Sequence, residues 1–265
     1  MIDRFFLARR KRPLSVVALP SVPVSGNVLV AYDPSSIVAA GGLLSAWNDR
    51  SVNGYHIDRE DPAFGAGATQ PAVDEEDDDF GTAVVTDSDS DHRATDVIDL
   101  SELAGTNTDS YFWLVLKSTH TGATAHPIVR MEQDSDRNIF TQISKQATDL
   151  IHLNNTSLPG ATVNAVTALN GVPRLIEFKN LLSANTQEAY LDGTLVDTET
   201  VNSNANLIGT VAASRMIFGR SISGGAVALQ ASWGVLMIET GIPSAGRLTE
   251  VREWARDEMG CVNIP

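Results

Sequence analysis

One cysteine in 265 residues leaves nothing for an intramolecular disulfide framework to pair, and it excludes a cysteine-based zinc cluster, which needs several thiolates. No apolar run reaches the ~18 residues of a membrane-spanning helix, so the sequence does not read as an integral membrane protein. Basic residues are the scarcer charge: 19 Lys and Arg stand against 33 Asp and Glu, a formal net charge of −14 and a pI near 4.6. Phosphates would be repelled everywhere except at a local basic patch, which argues against broad nucleic-acid binding. The nucleophile elbow Gly-x-Ser-x-Gly is absent, Ser223-Gly224-Gly225 has no strand-to-helix context, and Gly65-x-Gly67 is too isolated to cradle a phosphate. What the chain does have is 43% apolar residues, enough for one large β domain or two small ones.

The charge is unevenly placed. Arg4, Arg9, Arg10, Lys11 and Arg12 outweigh Asp3, a local net of +4 that leaves −18 for the remainder. Nine acids fall between Asp74 and Asp91. After the basic residues come Pro13, Pro20 and Pro23; proline fixes φ and lacks an N–H, so residues 1–26 read as an extended arm. The rival reading is a secretory signal, but the apolar stretch is short and broken by prolines.

From Val28 to Glu239 the pattern is β. Ser110 to Lys117 (SYFWLVLK) is apolar on both faces, as a central strand should be. Further short runs are Arg137 to Ile143, Leu150 to Leu153, Arg174 to Lys179, Glu188 to Leu191, Thr194 to Thr198, Arg215 to Gly219 and Trp233 to Glu239. Turns are expected at Asn154-Asn155, Pro159-Gly160, Asn170-Gly171, Asp192-Gly193 and Gly224-Gly225. Asp192-Gly193 is the sharpest hairpin signal, since both residues tolerate the positive φ of a type I′ turn. One helix closes the chain at about 245–259: Ser244 can cap it, Leu248, Val251, Ala255 and Met259 form its apolar stripe with Trp254 alongside, and Gly260 suits the left-handed closing position. No domain boundary is expected after residue 27. These patterns predict an all-β sandwich, residues 27–265, behind an arm, residues 1–26.

Ala31-Tyr32-Asp33, the Trp47-Asn48-Asp49-Arg50-Ser51-Val52-Asn53-Gly54 turn, Ala189 to Val196 around Asp192-Gly193, Met216 to Arg220, Trp233 to Ile238 and the closing helix occur in a telling order. Together they resemble the laminin-G-like, concanavalin A-like sandwich of bacteriophage and bacterial surface proteins; Val52 stands where that turn usually has Gly. The resemblance covers roughly 28–260 and implies a jelly roll of two facing antiparallel sheets.

Some members of that family hydrolyse polysaccharides with Glu-x-Asp-x-x-Glu on one strand, which puts the carboxylates on one face. That motif is missing here, and Glu75-Glu76-Asp77-Asp78-Asp79 reads as a solvated acidic loop. Asp87, Asp89 and Asp91 could gather oxygens around calcium, as such sandwiches often do, but His92 and Ile98 occupy the EF-hand's Gly and Glu positions. His120 and His126, six apart, share no face by default. Trp47, Trp113, Trp233 and Trp254 read as core rather than sugar-stacking, Asp49 as bonding its own turn, and Cys261 as inert.

The expectation is therefore a non-enzymatic structural or adhesive virion protein of a tailed bacteriophage, assembled in the host cytoplasm and oligomeric within its assembly. Arg4, Arg9, Arg10, Lys11 and Arg12 would dock it to capsid, portal or tail proteins, and starting at Met1 it would need no leader. It would have no cofactor unless calcium binds, no nucleic-acid or membrane partner, and host-surface carbohydrate as a candidate ligand. A secreted or surface carbohydrate-binding lectin is the alternative; a polysaccharide hydrolase is a third.

Overall fold

A computed structural model describes residues 19, 21–59, 70–86, 92–95, 109–118, 126–133, 139–145, 150–155, 158–181, 184–200, 214–219 and 229–265. Strands dominate them: β1 (Val28–Tyr32), β2 (Ile37–Ala40), β3 (Leu43–Trp47), β4 (Ile57–Arg59), β5 (Ala72–Asp77), β6 (Gly81–Thr86), β7 (His92–Thr95), β8 (Ser110–Lys117), β9 (His126–Gln133), β10 (Ile139–Lys145), β11 (Leu150–Asn155), β12 (Leu158–Asn164), β13 (Arg174–Leu181), β14 (Thr186–Leu191), β15 (Thr194–Thr200), β16 (Ser214–Gly219) and β17 (Ala231–Thr240). A single helical turn, α1 (Ala165–Ala168), precedes β13, and α2 (Ala245–Glu258) closes the chain.

Every ladder is antiparallel. In the first layer β17 pairs along one edge with both β1 and β6 and along the other with β8; β13, β14 and β15 follow, and β5 lies outside β6. The second layer runs β2, β3, β4, β7, β16, β9, β10, β11, β12. A single bridge, Leu43 opposite Ala72, stitches the layers along one side. Along the other, side chains do it: Asp197 Oδ2 accepts Thr162 N at 2.8 Å, and Gln187 Oε1 accepts Ala161 N at 3.3 Å. The expected two-sheet sandwich is the observed one.

The first layer buries both of its faces. Phe112, Leu114 and Leu116 of β8, Ile176 and Phe178 of β13, and Trp233, Leu236 and Ile238 of β17 point into the inter-sheet core. Tyr111, Trp113, Val115, Leu175, Val235 and Met237 point the opposite way, under α2. Rings bridge the layers: Tyr32 lies 5.6 Å from Trp47, Trp47 meets Phe218 edge-on at 5.5 Å, and Phe218 meets Trp233 edge-on at 5.1 Å. The T-shaped contacts place ring edges on ring faces, the favourable arrangement for aromatic quadrupoles. Gly234 sits at a bulge between Trp233 and Val235, where an added Cβ would lie 2.4 Å from Met259 Cε and 3.2 Å from the Phe80 ring.

Helix α2 forms as its sequence predicts. Ser244 Oγ accepts Arg247 N at 3.2 Å, and Gly260 closes the helix at φ +70°. Val251, Ala255, Met259 and the trailing Cys261 and Ile264 are buried against the sheet. Two arginines on the flanks meet carboxylates rising from the sheet. Arg252 holds the fully buried Glu177 of β13 through bonds of 2.9, 3.1 and 2.9 Å, and Arg247 holds Glu239 of β17 at 2.9 and 2.8 Å. Burial pushes the Glu177 carboxyl above the ordinary glutamate range, and the Arg252 guanidinium only partly offsets it.

Several expectations need correction. Pro159-Gly160 is not a turn but part of β12, which has a main-chain ladder on one side only, so a proline without an N–H is tolerated. Asn154-Asn155 end β11 instead of turning, and His126–Gln133 is a strand the pattern did not announce. The acidic run is not all solvated loop: Asp74 to Asp77 lie in β5, and Asp77 is buried. Trp254 is only half buried, at the margin of the second core, whereas Trp47, Trp113 and Trp233 are fully buried. The expected arm boundary at residue 26 falls inside a tied segment. Val22 is buried and its N–H donates to Asp33 Oδ2 at 2.8 Å, and Pro23 O accepts Arg247 Nη2 at 2.7 Å.

Two measurements test this packing. Trp113→Ala is expected to cost about 3–5 kcal/mol and Trp254→Ala about 1–2 kcal/mol in urea unfolding, because the loss scales with the area removed from water; equal losses would contradict the burial difference. Arg252→Met strands a buried carboxylate and should cost about 3–5 kcal/mol at neutral pH. A carboxyl raised on folding binds its proton more tightly in the folded state, so this penalty is absent below the ordinary glutamate range and grows as pH rises from it. A variant equally destabilised at pH 4 and pH 7 would show that Glu177 is not the cause.

Candidate functional site

The Trp47 to Gly54 turn is structural. Asp49 accepts Ala31 N at 2.9 Å, Ser51 N at 2.8 Å and Tyr55 N at 2.9 Å, which pins the turn to β1. Ser51 and Asn53 add bonds to Leu29 O at 3.0 and 2.9 Å. Trp47 Nε1 donates to Asp33 O at 2.9 Å, so its polar edge is used inside the core. Asp192 and Gly193, at φ +50° and +81°, make the expected hairpin turn between β14 and β15. The Asp192 carboxylate accepts Leu175 N at 3.0 Å and pairs with Arg174. Cys261 is fully buried, and burial pushes its thiol far above the reactive range, as an inert cysteine requires.

The concave feature lies at one end of the first layer, where its middle strands run out. It is an open groove of about 620 Å³. The β5–β6 turn contributes Asp78 and Asp79, and the end of β6 contributes Val85 and Thr86. Lys117 and Ser118 come from the end of β8, Gly171 to Pro173 from the approach to β13, and Gln230 to Ser232 from the entry to β17.

Lys117 organises this end. Its Nζ donates to Asp77 Oδ1 and Oδ2 at 3.1 and 3.0 Å and to Asp79 Oδ2 at 2.9 Å, and it sits 5.5 Å above the Phe80 ring centroid. The three N–H groups of the ammonium thus have three oxygens. Partial burial works against the charge, but the bonds from Asp79 and Asp77 outweigh it and hold Lys117 above the ordinary lysine range. Asp77 Oδ1 also accepts Asp79 N and Phe80 N at 2.9 and 3.0 Å, so the turn is folded around one buried carboxylate. Asp78 is exposed and makes no hydrogen bond or ion pair to a described residue.

Of the residues the sequence singled out as sites, Asp87, Asp89 and Asp91 lie outside the described residues, as do Arg4, Arg9, Arg10, Lys11, Arg12, His120 and Ser223 to Gly225. Thr86, immediately before Asp87, lines the groove. Among the described residues no group of three His, Cys, Asp or Glu side chains could hold a metal ion. Lys117 and Ser232 were not singled out by sequence. The one available signal was a charged residue ending an otherwise apolar central strand.

No protein-family model matches the chain, and no curated protein matches it in sequence. Its fold does match solved structures. The botulinum neurotoxin serotype D binding domain aligns with a TM-score of 0.51 at 11% identity, over 86% of this chain and 52% of that one. Trypanosoma rangeli sialidase in complex with sialic acid aligns with a TM-score of 0.54 at 11% identity, over 93% and 37%. A mutant of the same sialidase displaying trans-sialidase activity aligns at 0.53 and 12% identity, over 90% and 34%. The chain spans about half the length of the toxin domain and about a third of the sialidase. At such identities the likeness is one of fold: a lectin-like, concanavalin A-like β-sandwich.

Lys117→Met should leave Asp77 buried without its cation and cost about 2–4 kcal/mol at neutral pH. A lysine raised on folding contributes stability that is complete below its unfolded value near ~10.4 and is lost as pH rises through the folded value. The gap between wild type and variant should therefore narrow in alkaline melts; a gap constant to pH 12 would contradict the ion-pair account.

Proposed function

We propose that this chain is a non-enzymatic adhesive module of a tailed-bacteriophage virion. Its lectin-like sandwich displays a carbohydrate-binding surface, and its basic N-terminal segment docks it to capsid, portal or tail proteins during assembly in the host cytoplasm. The observation that carries the reading is an open polar groove at one end of a lectin-like sandwich, in which the lining Asp79 is committed to Lys117 together with the buried Asp77, leaving Asp78 as the one unpaired carboxylate among the described lining residues instead of an acid and nucleophile pair. Concavity with a few convergent polar groups is the usual form of a small-ligand site. Fold alone does not give function. The virion setting rests on the sequence resemblance and on the +4 segment set against a −18 remainder.

A secreted or surface lectin is the second reading. It is favoured by the fold shared with a toxin binding domain and with a sialidase in complex with sialic acid. Both readings expect saccharide binding and no bond cleavage. Neither needs calcium, so millimolar calcium should leave the melting temperature unchanged; a rise that Asp87→Asn with Asp89→Asn abolishes would place the ion at Asp87, Asp89 and Asp91.

The first assay tests what the two readings share, and the rest separate them. A glycan array probed with the full chain should show saccharide binding, and a reducing-end assay on the bound glycans should show no release. Deletion of residues 1–18, which spares the tied Val22, should leave the melting temperature within a degree or so and abolish incorporation into particles. Docking should weaken as salt rises, since exposed charges are screened within ~8–10 Å at physiological ionic strength. Normal incorporation of the deleted form would remove the anchoring role, and absence of the protein from purified particles viewed with specific antibody would favour the secreted lectin.

A further inference from the structure

The end of the first layer farthest from the groove ends its core in a polar row. Lys117, at the close of β8, marks the groove end, and Ser110 opens the same strand. Ala189, Phe178, Phe112 and Ile238 line up across β14, β13, β8 and β17 and belong to the inter-sheet core. Two residues away on each strand, and therefore on the same face, the row becomes Gln187, Asn180, Ser110 and Thr240. Gln187, Asn180 and Ser110 are fully buried. Buried polar side chains need partners for their donors and acceptors.

The partners run out halfway along the row. Gln187 Oε1 accepts Ala161 N of β12 at 3.3 Å, which leaves Gln187 Nε2 to donate to Asn180 Oδ1 at 3.1 Å. With Oδ1 aimed at β14, the flat amide of Asn180 turns Nδ2 the other way, toward Ser110 on β8. Asn180 Nδ2 has no hydrogen-bond partner among the described residues, and neither has Ser110 Oγ. Tyr111 Oη, Trp113 Nε1 and Arg174 Nε share that condition. The first two belong to the core under α2, and Arg174 sits at the opposite end of β13, so only Ser110 and Asn180 meet across a ladder on the inter-sheet face.

Directly opposite residues of an antiparallel pair have Cβ atoms about 4.5–5.5 Å apart, a spacing at which two short polar side chains can hold one small molecule between them. The pair needs an acceptor for the amide and a donor for the hydroxyl, because a buried group left unpaired is destabilising. Water offers both, and the full burial of Ser110 and Asn180 restricts the occupant to that size.

We propose that the inter-sheet face carries an internal water-binding site between Asn180 Nδ2 and Ser110 Oγ. The water accepts from the amide and donates to the hydroxyl. It extends the run from Ala161 through Gln187 and Asn180 as far as β8, so one chain of hydrogen bonds ties β12 of the second layer to three strands of the first. The site is independent of the carbohydrate-binding reading and stands or falls without it.

The test is a crystal structure of the full chain at a resolution that shows ordered water, joined to oxygen-17 relaxation dispersion and thermal melts of wild type and Ser110→Ala. Density for a water within about 2.7–3.2 Å of both atoms is expected. Ser110→Ala should hold one fewer long-lived water and melt several degrees lower, because it removes one of the water's partners. At a dry site the same change would only remove an unpaired hydroxyl, so a variant that melts at or above the wild-type temperature overturns the proposal. So does a wild-type structure in which Ser110 Oγ and Asn180 Nδ2 bond to each other or to other protein groups, a result that needs no variant to fold. A long-lived water count unchanged in Ser110→Ala overturns it as well.

Discussion

The demand that organises this molecule is that one sheet must bury both of its faces. β8, β13 and β17 are covered by the second sheet on one side and by α2 on the other, so the alternation of apolar and polar residues normal for a one-sided sheet is lost. A doubly covered sheet has nowhere to put a charge unless it carries the partner with it. Glu177 and Glu239, on the helix face of β13 and β17, are tolerated because Arg252 and Arg247 reach down from α2 to meet them. The same arginines fix the helix axially along the sheet, and Arg247 also holds the incoming chain at Pro23 O. Helix position, strand register and the path of the N-terminal segment are thus set by two ion pairs at the rim of an apolar contact.

The strands that carry this double burial were the easiest to see in the sequence. SYFWLVLK has no polar face, and Trp233 to Glu239 is nearly as apolar, so both declared themselves central. Ser244, Gly260 and Asp192-Gly193 were legible because each performs a local backbone task that few residues can perform. Asp49 was legible for the same reason, although its reach to β1 at Ala31 was not. What could not be read were features decided by distant partners. β5 is a strand of acids because β6 pairs with it and Lys117 neutralises Asp77, neither of which local composition announces. Pro159 looks like a turn until one knows which side of β12 lacks a ladder. Trp254 looks like core until its place at the margin of the second cluster is seen, packed against it but only partly buried. The groove, assembled from five separate stretches of chain, had no contiguous signal at all.

Leu19 Cδ2 rests 3.2 Å from where a Cβ on Gly81 would be, so Leu19 packs beside the turn that supplies Asp78 and Asp79 to the groove. The acids of that turn are therefore near both the groove and Leu19. Their neutralisation by Lys117 keeps the turn folded without removing its negative potential, a compromise between holding charges together and leaving them able to act at a distance.

The lateral seam at β12 has a consequence of a different kind. An unpaired strand border is adhesive, because its N–H and C=O groups will accept any extended segment that arrives. Here Asp197 and Gln187 occupy donors of that border with side-chain oxygens. A carboxylate can accept a hydrogen bond but cannot extend a ladder, so the border is occupied without offering the next strand anything to copy. Those two side chains act as a hem that keeps the border from fraying into an open template for another chain.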